Sequence, residues 1–174
     1  MIELGRFLLG LVAAVALHVL GMQLRVVSVP LYFDPFLVLV IYVSMRASTA
    51  RSILAGTLVG LVQDALTGGL YGLHGFADTA VAYLISAVRQ RFVIQQSSQI
   101  AVLASLGGIF QGLVLAGLQL ALVTDAELPG ATSSFIKVAL TGLTTLAVYV
   151  GSNRLLAYER RRREQRNRRI RLGL

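Results

Sequence analysis

The chain has 174 residues, of which 56% are hydrophobic and only 14% are charged. Because soluble domains carry about 25% charged residues, this composition excludes a soluble fold and a disordered chain, and the absence of cysteine excludes a disulfide scaffold. The net charge of +8 is concentrated in the last sixteen residues, so we expect a membrane protein with a basic tail.

Charged residues divide the chain into apolar segments that predict six transmembrane helices. The first segment is expected to be retained rather than cleaved as a signal peptide, because its apolar run leads into further hydrophobic sequence. Pro35 opens a short second helix, and the glycine-rich stretch 67–75 separates the third helix from the fourth. The predicted helices span residues 7–24, 34–46, 52–66, 72–88, 97–124 and 132–158.

The distribution of basic residues predicts the orientation of these helices. With six spans and a cytoplasmic amino terminus, 14 of the 16 lysine and arginine residues lie on the inner side, and only Arg25 and Lys137 lie outside. Merging the third and fourth helices would place the arginine-rich tail outside, against the positive-inside rule. We therefore predict an all-α integral membrane domain of six helices in residues 1–158, with both termini cytoplasmic, and a cytoplasmic tail in residues 159–174.

The tail is the strongest charge signal in the chain. It follows the last span directly and has no interleaved aromatic residues, so we expect it to lie on anionic inner-leaflet lipids rather than bind nucleic acid. Docking of a cytoplasmic partner is a second possibility. The lipid-facing basic residues are Arg160, Arg161, Arg162, Arg163, Arg166, Arg168, Arg169 and Arg171.

Small residues recur at every fourth position from Gly56 to Gly72, interrupted by Asp64. Steps of four residues stay near one helix face, and small residues on one face allow membrane helices to approach closely. A second stripe of this kind lies on the fifth helix. The glycines predicted to pack against another helix or a partner are Gly56, Gly60, Gly68, Gly72, Gly108 and Gly112.

Three polar residues lie near the third and fourth helices: Asp64, His74 and Asp78. A carboxylate at mid-helix in lipid costs about 2.5–3.5 kcal/mol, so we expect these residues to be structural, with Asp64 off-centre toward the outer face and either partly hydrated or hydrogen-bonded. We expect Asp64 to cap the turn between the helices, bonded to the amides of residues 67–69 or to His74; Asp64→Asn should then be mild. Asp78 should make a buried contact, and His74, four residues earlier, could pair with it. A proton or ion site is the alternative.

The sequence carries no pattern that indicates catalysis or cofactor binding. His18 and His74 are the only histidines and share no ligand spacing. A serine–histidine–aspartate order, a phosphate-binding loop and a dinucleotide fingerprint are all missing. We therefore predict no enzymatic activity, no catalytic residue, no cofactor and no metal.

The glycine–aspartate pattern Gly56-x-x-x-Gly60-x-x-x-Asp64-x-x-x-Gly68-x-x-x-Gly72, running on to Ala82-Tyr83-Leu84, resembles the motif of the bacterial rod shape-determining MreD family. The size, the six-span plan and the basic carboxyl terminus are also similar. In one departure, Phe36 stands where that family often has an acidic or amide residue after the proline of helix two. We therefore assign no function to that site.

The resemblance implies a non-enzymatic scaffold of the cell-elongation machinery in the bacterial cytoplasmic membrane, with a role in cell shape and peptidoglycan synthesis. Its direct partner would be MreC, a protein with one membrane helix and a large external domain. The wider assembly would include the glycosyltransferase RodA, its class B transpeptidase and MreB filaments.

The resemblance also implies a fold similar to the substrate-binding subunits of energy-coupling-factor importers, which supplies the alternative function of binding a vitamin or metal for import. That function predicts an outward pocket roofed by the loops near residues 31–33, 67–71 and 125–134. These loops are short and contain few polar residues, which favours the scaffold. A proton-coupled carrier that uses Asp64 and Asp78 is a third possibility.

Overall fold

The computed structural model describes residues 2–24, 34–68, 70–92, 97–122, 136, 138–152 and 154. Every regular element within these residues is an α-helix. The helices are α1 (Ile2–Leu24), α2 (Pro35–Ser44), α3 (Thr49–Thr67), α4 (Leu73–Arg91), α5 (Ser97–Leu122) and α6 (Val138–Ser152).

Two segments, Leu4–Gln23 in α1 and Gln99–Leu122 in α5, are long and apolar enough to cross a membrane. Two further helices, α2 and α6, are apolar but shorter. The exterior is apolar as well, with Leu9 72% exposed on α1 and Leu113 67% exposed on α5. Large apolar side chains on an outer surface are typical of proteins that lie in lipid, so the architecture is that of an all-helical membrane protein.

The observed helices do not end at the charged residues that set the predicted bounds. The first helix begins before Arg6 instead of at residue 7, the third begins at Thr49 instead of residue 52, and the fourth continues to Arg91 instead of residue 88. Long basic side chains reach polar surroundings while their backbone stays helical, so charge marks the edge of an apolar span rather than the end of a helix.

The second helix is shorter than predicted at both ends. Asp34 precedes it as the N-cap, and Met45 follows it as the C-cap, so the helical residues are Pro35–Ser44 rather than 34–46. Parts of the predicted fifth and sixth helices, residues 123–124, 132–135 and 155–158, lie outside the described residues, as does the whole basic tail 159–174.

The centre of the bundle is α2, which contacts α1, α3, α4 and α5. Its two faces follow the four-residue spacing of a helix. Leu37 and Ile41 pack against α4 and α5, in a cluster with Val81 and Ile85. On the other face, Phe36 and Val40 belong to a second cluster with residues of α1 and α3. A short apolar helix is therefore stabilised because protein surrounds it, not because it presents one face to lipid.

The closest pair of helices is the α3–α4 hairpin. A Cβ atom at Gly56 would lie 2.7 Å from the carbonyl oxygen of Asp78, and one at Gly60 would overlap the carbonyl oxygen of His74. Real Cβ atoms do not approach backbone this closely, so only glycine permits the observed separation of the two helices. The register of the hairpin is therefore set by Gly56 and Gly60.

The bundle has two chemically different ends. At one end, the Arg89 guanidinium near the end of α4 donates to the carbonyl oxygens of Met45 (3.4 Å) and Ala47 (2.5 Å), just after α2. At the same end, the Arg46 side chain donates to Ser152, the last residue of α6, at 3.0 Å. The opposite end holds acidic and amide side chains. Consequently α2, α4 and α6 run in one direction and α3 runs in the other.

Candidate functional site

The carboxylate of Asp64, 1% exposed near the end of α3, lies at the amino terminus of α4. Its Oδ2 accepts hydrogen bonds from the backbone N–H groups of Gly72 (2.8 Å) and Gly75 (3.1 Å). Its Oδ1 accepts from the backbone N–H of His74 at 3.0 Å and lies 2.8 Å from Nδ1 of the His74 ring. Both oxygens are therefore engaged with the first turn of the next helix.

This arrangement explains how a carboxylate is held at depth in the bundle. The first backbone N–H groups of a helix have no partners within that helix, and the helix dipole favours negative charge there. Asp64 supplies both the acceptors and the charge for α4. The sequence predicted the amides of residues 67–69 or His74 as partners of the carboxylate. The structure shows His74, and the backbone amides that bind Asp64 are those that follow the turn, because Asp64 lies at the end of its own helix beside the start of the next.

Two glycines shape this turn. Gly68, after α3, has a φ of 68°, and Gly72, before α4, has a φ of 98°. Both values are in the left-handed region that side chains rarely adopt, and the structure places nothing within 4 Å of a Cβ at either position. The four-residue repeat predicted that they would pack against a helix or partner. Instead, Gly68 ends α3 and Gly72 precedes α4, because the glycines of the repeat share one helix face only as far as α3 continues.

Asp78 and His74 do not form the pair that their spacing suggested. Asp78, fully buried on α4, accepts a hydrogen bond from the Nε2 of Gln111 on α5 at 2.7 Å. The ring of His74 turns instead to Asp64, which lies at the end of the neighbouring helix. Residues four apart share a helix face, but here each side chain finds a partner on a different helix. Asp78 therefore ties α4 to α5, and His74 ties α4 to α3.

A third buried carboxylate, Asp34, joins three helices. Its Oδ1 caps α2 by accepting from the N–H groups of Phe36 (3.1 Å) and Leu37 (3.2 Å), and its Oδ2 accepts from Gln63 Nε2 of α3 at 3.1 Å. Its own N–H donates to the Thr141 hydroxyl of α6 at 3.5 Å. Asp34 had no predicted role, although an aspartate directly before Pro35 is a typical N-cap signal.

At the opposite end of the bundle, two aromatic rings contact the guanidinium of Arg46. In the sequence this residue served only as one of the charges that predict the orientation. Arg46 lies over the rings of Tyr42, at 4.6 Å, and Tyr149, at 5.2 Å. Cation–π contacts of this kind stabilise a basic group by roughly 0.5–2 kcal/mol. Together with the hydrogen bond to Ser152, they tie the end of α2 to the end of α6.

The second glycine stripe behaves differently at its two positions. A Cβ at Gly108 would make ordinary contacts with Val138 of α6 at 3.6 Å and with Leu37 of α2 at 3.8 Å. At Gly112 it would meet nothing within 4 Å. Gly108 therefore faces the bundle, whereas Gly112 is exposed on the outside of α5. The arginines predicted to contact lipid all fall in the tail, outside the described residues.

The polar groups described above form hydrogen bonds between helices. In the part of the chain that the structure describes, no three histidine, cysteine, aspartate or glutamate side chains are grouped to hold a metal ion. Each of the three buried aspartates accepts hydrogen bonds from a neighbouring helix. We take the candidate site to be the polar network of Asp34, Gln63, Asp64, His74, Asp78 and Gln111, whose hydrogen bonds join neighbouring helices.

Comparison with known proteins connects this network to a family. The family model described as "rod shape-determining protein MreD" matches residues 1–128, which include α1 to α5 and every carboxylate and amide of the network. No curated protein and no solved structure matches the chain. The match covers most of the chain and includes the glycine–aspartate motif. The chain therefore belongs to the MreD family of rod shape-determining proteins, membrane components of the machinery that sets cell shape.

Proposed function

We propose that the chain is a non-enzymatic scaffold of the cell-elongation machinery that binds MreC in the cytoplasmic membrane. In this proposal residues 1–158 cross the membrane six times, both termini are cytoplasmic, and residues 159–174 contact anionic lipids. The likeness to the subunits of energy-coupling-factor importers is part of the proposal and concerns the fold alone. The observation that carries it is the family match over residues 1–128.

The charges at the two ends of the bundle support the proposed orientation. Arg46, Arg89 and Arg91 lie at the end where α2, α4 and α6 finish. The opposite end is formed by Asp34, Asp64 and the amides and hydroxyls around them. Since basic residues remain on the cytoplasmic side, the arginine end is the inner end.

The contacts of the polar groups support a scaffold rather than a carrier. Asp34, Asp64 and Asp78 are 4%, 1% and 0% exposed, and each accepts a hydrogen bond from another helix. Side chains used in this way make the bundle rigid and hold its outer surface in one shape. A rigid surface is what a scaffold needs in order to position MreC and, through it, RodA, the class B transpeptidase and MreB.

The proposal is tested by association with MreC from the same bacterium. The affinity-tagged full chain is co-expressed with MreC, extracted in mild detergent and purified, with an unrelated single-pass membrane protein as the control prey. We expect retention of MreC in a stoichiometric amount and no retention of the control. Loss of MreC in detergent, combined with no cross-link between the two proteins in cells, would contradict the proposal. A stoichiometric vitamin detected by native mass spectrometry would point to an importer subunit instead.

A further inference from the structure

The arginine end of the bundle contains three buried serines, one on each of three neighbouring helices. They are Ser44 of α2, Ser52 of α3 and Ser86 of α4, and the solvent-exposed fraction of each is 0%. Buried hydroxyl groups in folded proteins are normally hydrogen-bonded, either to protein or to ordered water. Each of these three hydroxyls therefore requires a partner inside the bundle.

The packing of the helices places the three serines at one level. Val40 of α2 and Ala82 of α4 belong to one cluster of buried residues, and a Cβ at Gly56 of α3 would lie 3.0 Å from the Cβ of Ala82. A step of four residues toward the arginine end leads from each of these positions to the serine of the same helix, because α3 runs opposite to α2 and α4. The serines therefore lie together where α2, α3 and α4 adjoin.

Arg89 brings a further donor to this level. It lies one turn after Ser86 on α4, and its two Nη groups donate to the carbonyl oxygens of Met45 and Ala47. Met45 directly follows Ser44, so the guanidinium lies beside the serines. Its Nε–H is buried and has no hydrogen-bond partner among the described residues. An arginine N–H can only donate, so this group requires an acceptor oxygen.

Two of the three hydroxyls are also without a partner in the described part of the chain. Ser52 donates to the carbonyl oxygen of Ser48, four residues earlier in the chain, at 3.1 Å. Ser44 and Ser86 make no such bond, and nothing else described bonds their Oγ atoms. Three buried polar atoms, Oγ of Ser44, Oγ of Ser86 and Nε of Arg89, are thus left without partners at one place. Such burial is costly unless another molecule completes the hydrogen bonds.

We propose that an internal water molecule binds at this site, where it accepts a hydrogen bond from Nε of Arg89 and bonds the hydroxyls of Ser44 and Ser86. Buried waters make about three hydrogen bonds, typically to polar groups that have no other partner. The occupant has to be small, because all the serines are closed to solvent. A chloride ion could only accept hydrogen bonds, and it would lie near the carbonyl oxygens that the guanidinium binds. Water accepts and donates, so it matches the mixed set of groups and joins α2 to the α3–α4 hairpin.

The water is tested directly by a crystal structure of the full chain in a lipid phase, at a resolution that shows ordered water. We expect one density peak within about 3.2 Å of Nε of Arg89 and of both serine oxygens. A second crystal is grown with bromide in place of chloride, and we expect no anomalous signal at the peak. An anomalous peak would overturn the inference, because it would identify an anion. Serine hydroxyls bonded to the carbonyl oxygens of Val40 and Ala82, with no density between them, would overturn it as well.

The thermal stability of three variants provides a second test, because the sign of the effect differs between the alternatives. If a water is bound, Ser44→Ala and Ser86→Ala should each lower the Tm by roughly 2–5 °C. The loss in the double variant should be smaller than the sum of the two, because the second hydroxyl contributes nothing once the water is lost.

The matched control is Thr145→Val on α6. The Thr145 hydroxyl is also buried, but it donates to the carbonyl oxygen of Thr141 in its own helix at 2.7 Å. This variant should change the Tm less than either serine variant does. An unchanged or raised Tm in both serine variants would overturn the inference, because removal of a hydroxyl that has no partner relieves a cost. Additive losses in the double variant would also overturn it, since the two hydroxyls would then not share one molecule.

Discussion

Replacing Gly60 with alanine should separate the two helices of the hairpin. The new Cβ would lie 2.6 Å from the Cα of Gly75, whereas carbon atoms prefer about 3.5–4.0 Å. Because the obstacle is backbone, α3 has to move away from α4 by about 1 Å. Overpacking of this kind costs about 1–3 kcal/mol. The same movement would stretch the hydrogen bonds of Asp64, now 2.8–3.1 Å, beyond the normal range.

We therefore expect Gly60→Ala to destabilise the protein by about 3 kcal/mol, which lowers the Tm of a chain of this length by roughly 6–12 °C. Gly112→Ala is the matched control, because that helical glycine has open space around it. It should be neutral or stabilise by up to about 1 kcal/mol. Because the chain has no tryptophan whose fluorescence could report unfolding, the Tm is obtained from the fraction of purified protein that stays monodisperse in gel filtration after heating. Equal Tm values for the two variants would refute the close-packing argument.

Three further substitutions test the polar contacts with the same assay. Asp64→Asn should destabilise the protein by about 2–3 kcal/mol rather than be mild. One carboxylate oxygen now accepts hydrogen bonds from two backbone N–H groups, and an amide NH₂ in its place would set a donor against those donors. An unchanged Tm would contradict this prediction. Gln111→Leu, which removes the donor to Asp78, should cost about 1 kcal/mol, and no added loss in an Asp78→Asn background would show that the two residues act through one contact. Arg89→Lys should lower the Tm by a few degrees, because an ammonium group cannot reach the carbonyl oxygens of Met45 and Ala47 in the same fork; a Tm equal to that of the unaltered chain would exclude this bracing role.

The family could be predicted from sequence because its motif is local. Gly56, Gly60 and Asp64 lie within nine residues, and the spacing of four is itself a consequence of helix geometry. The resemblance to MreD that this motif indicates is confirmed by the family match. The close approach of α3 to α4 at the first two glycines follows from the same spacing, because small residues on one face of a helix allow a second helix to pack closely against it.

The partners of the polar groups could not be predicted, because they depend on how helices are aligned in space. Asp34 and Gln63 are 29 positions apart in the chain, and nothing local indicates that their side chains meet. Similarly, the spacing of His74 and Asp78 indicates a shared face but does not say which neighbouring helix each side chain reaches. The roles of Gly68 and Gly72 at the ends of α3 and α4 could not be predicted either, because the four-residue repeat continues past the end of α3 and does not show where the helix stops.

The central claim, that the chain crosses the membrane six times with both ends inside, is tested most directly by paired topology reporters. Alkaline phosphatase, active only outside the cytoplasmic membrane, and a fluorescent protein, active only inside, are fused separately after Leu174 and within the acidic segment 125–130. The account predicts fluorescence and no phosphatase activity after Leu174, and the reverse at 125–130. Phosphatase activity after Leu174 would contradict the topology.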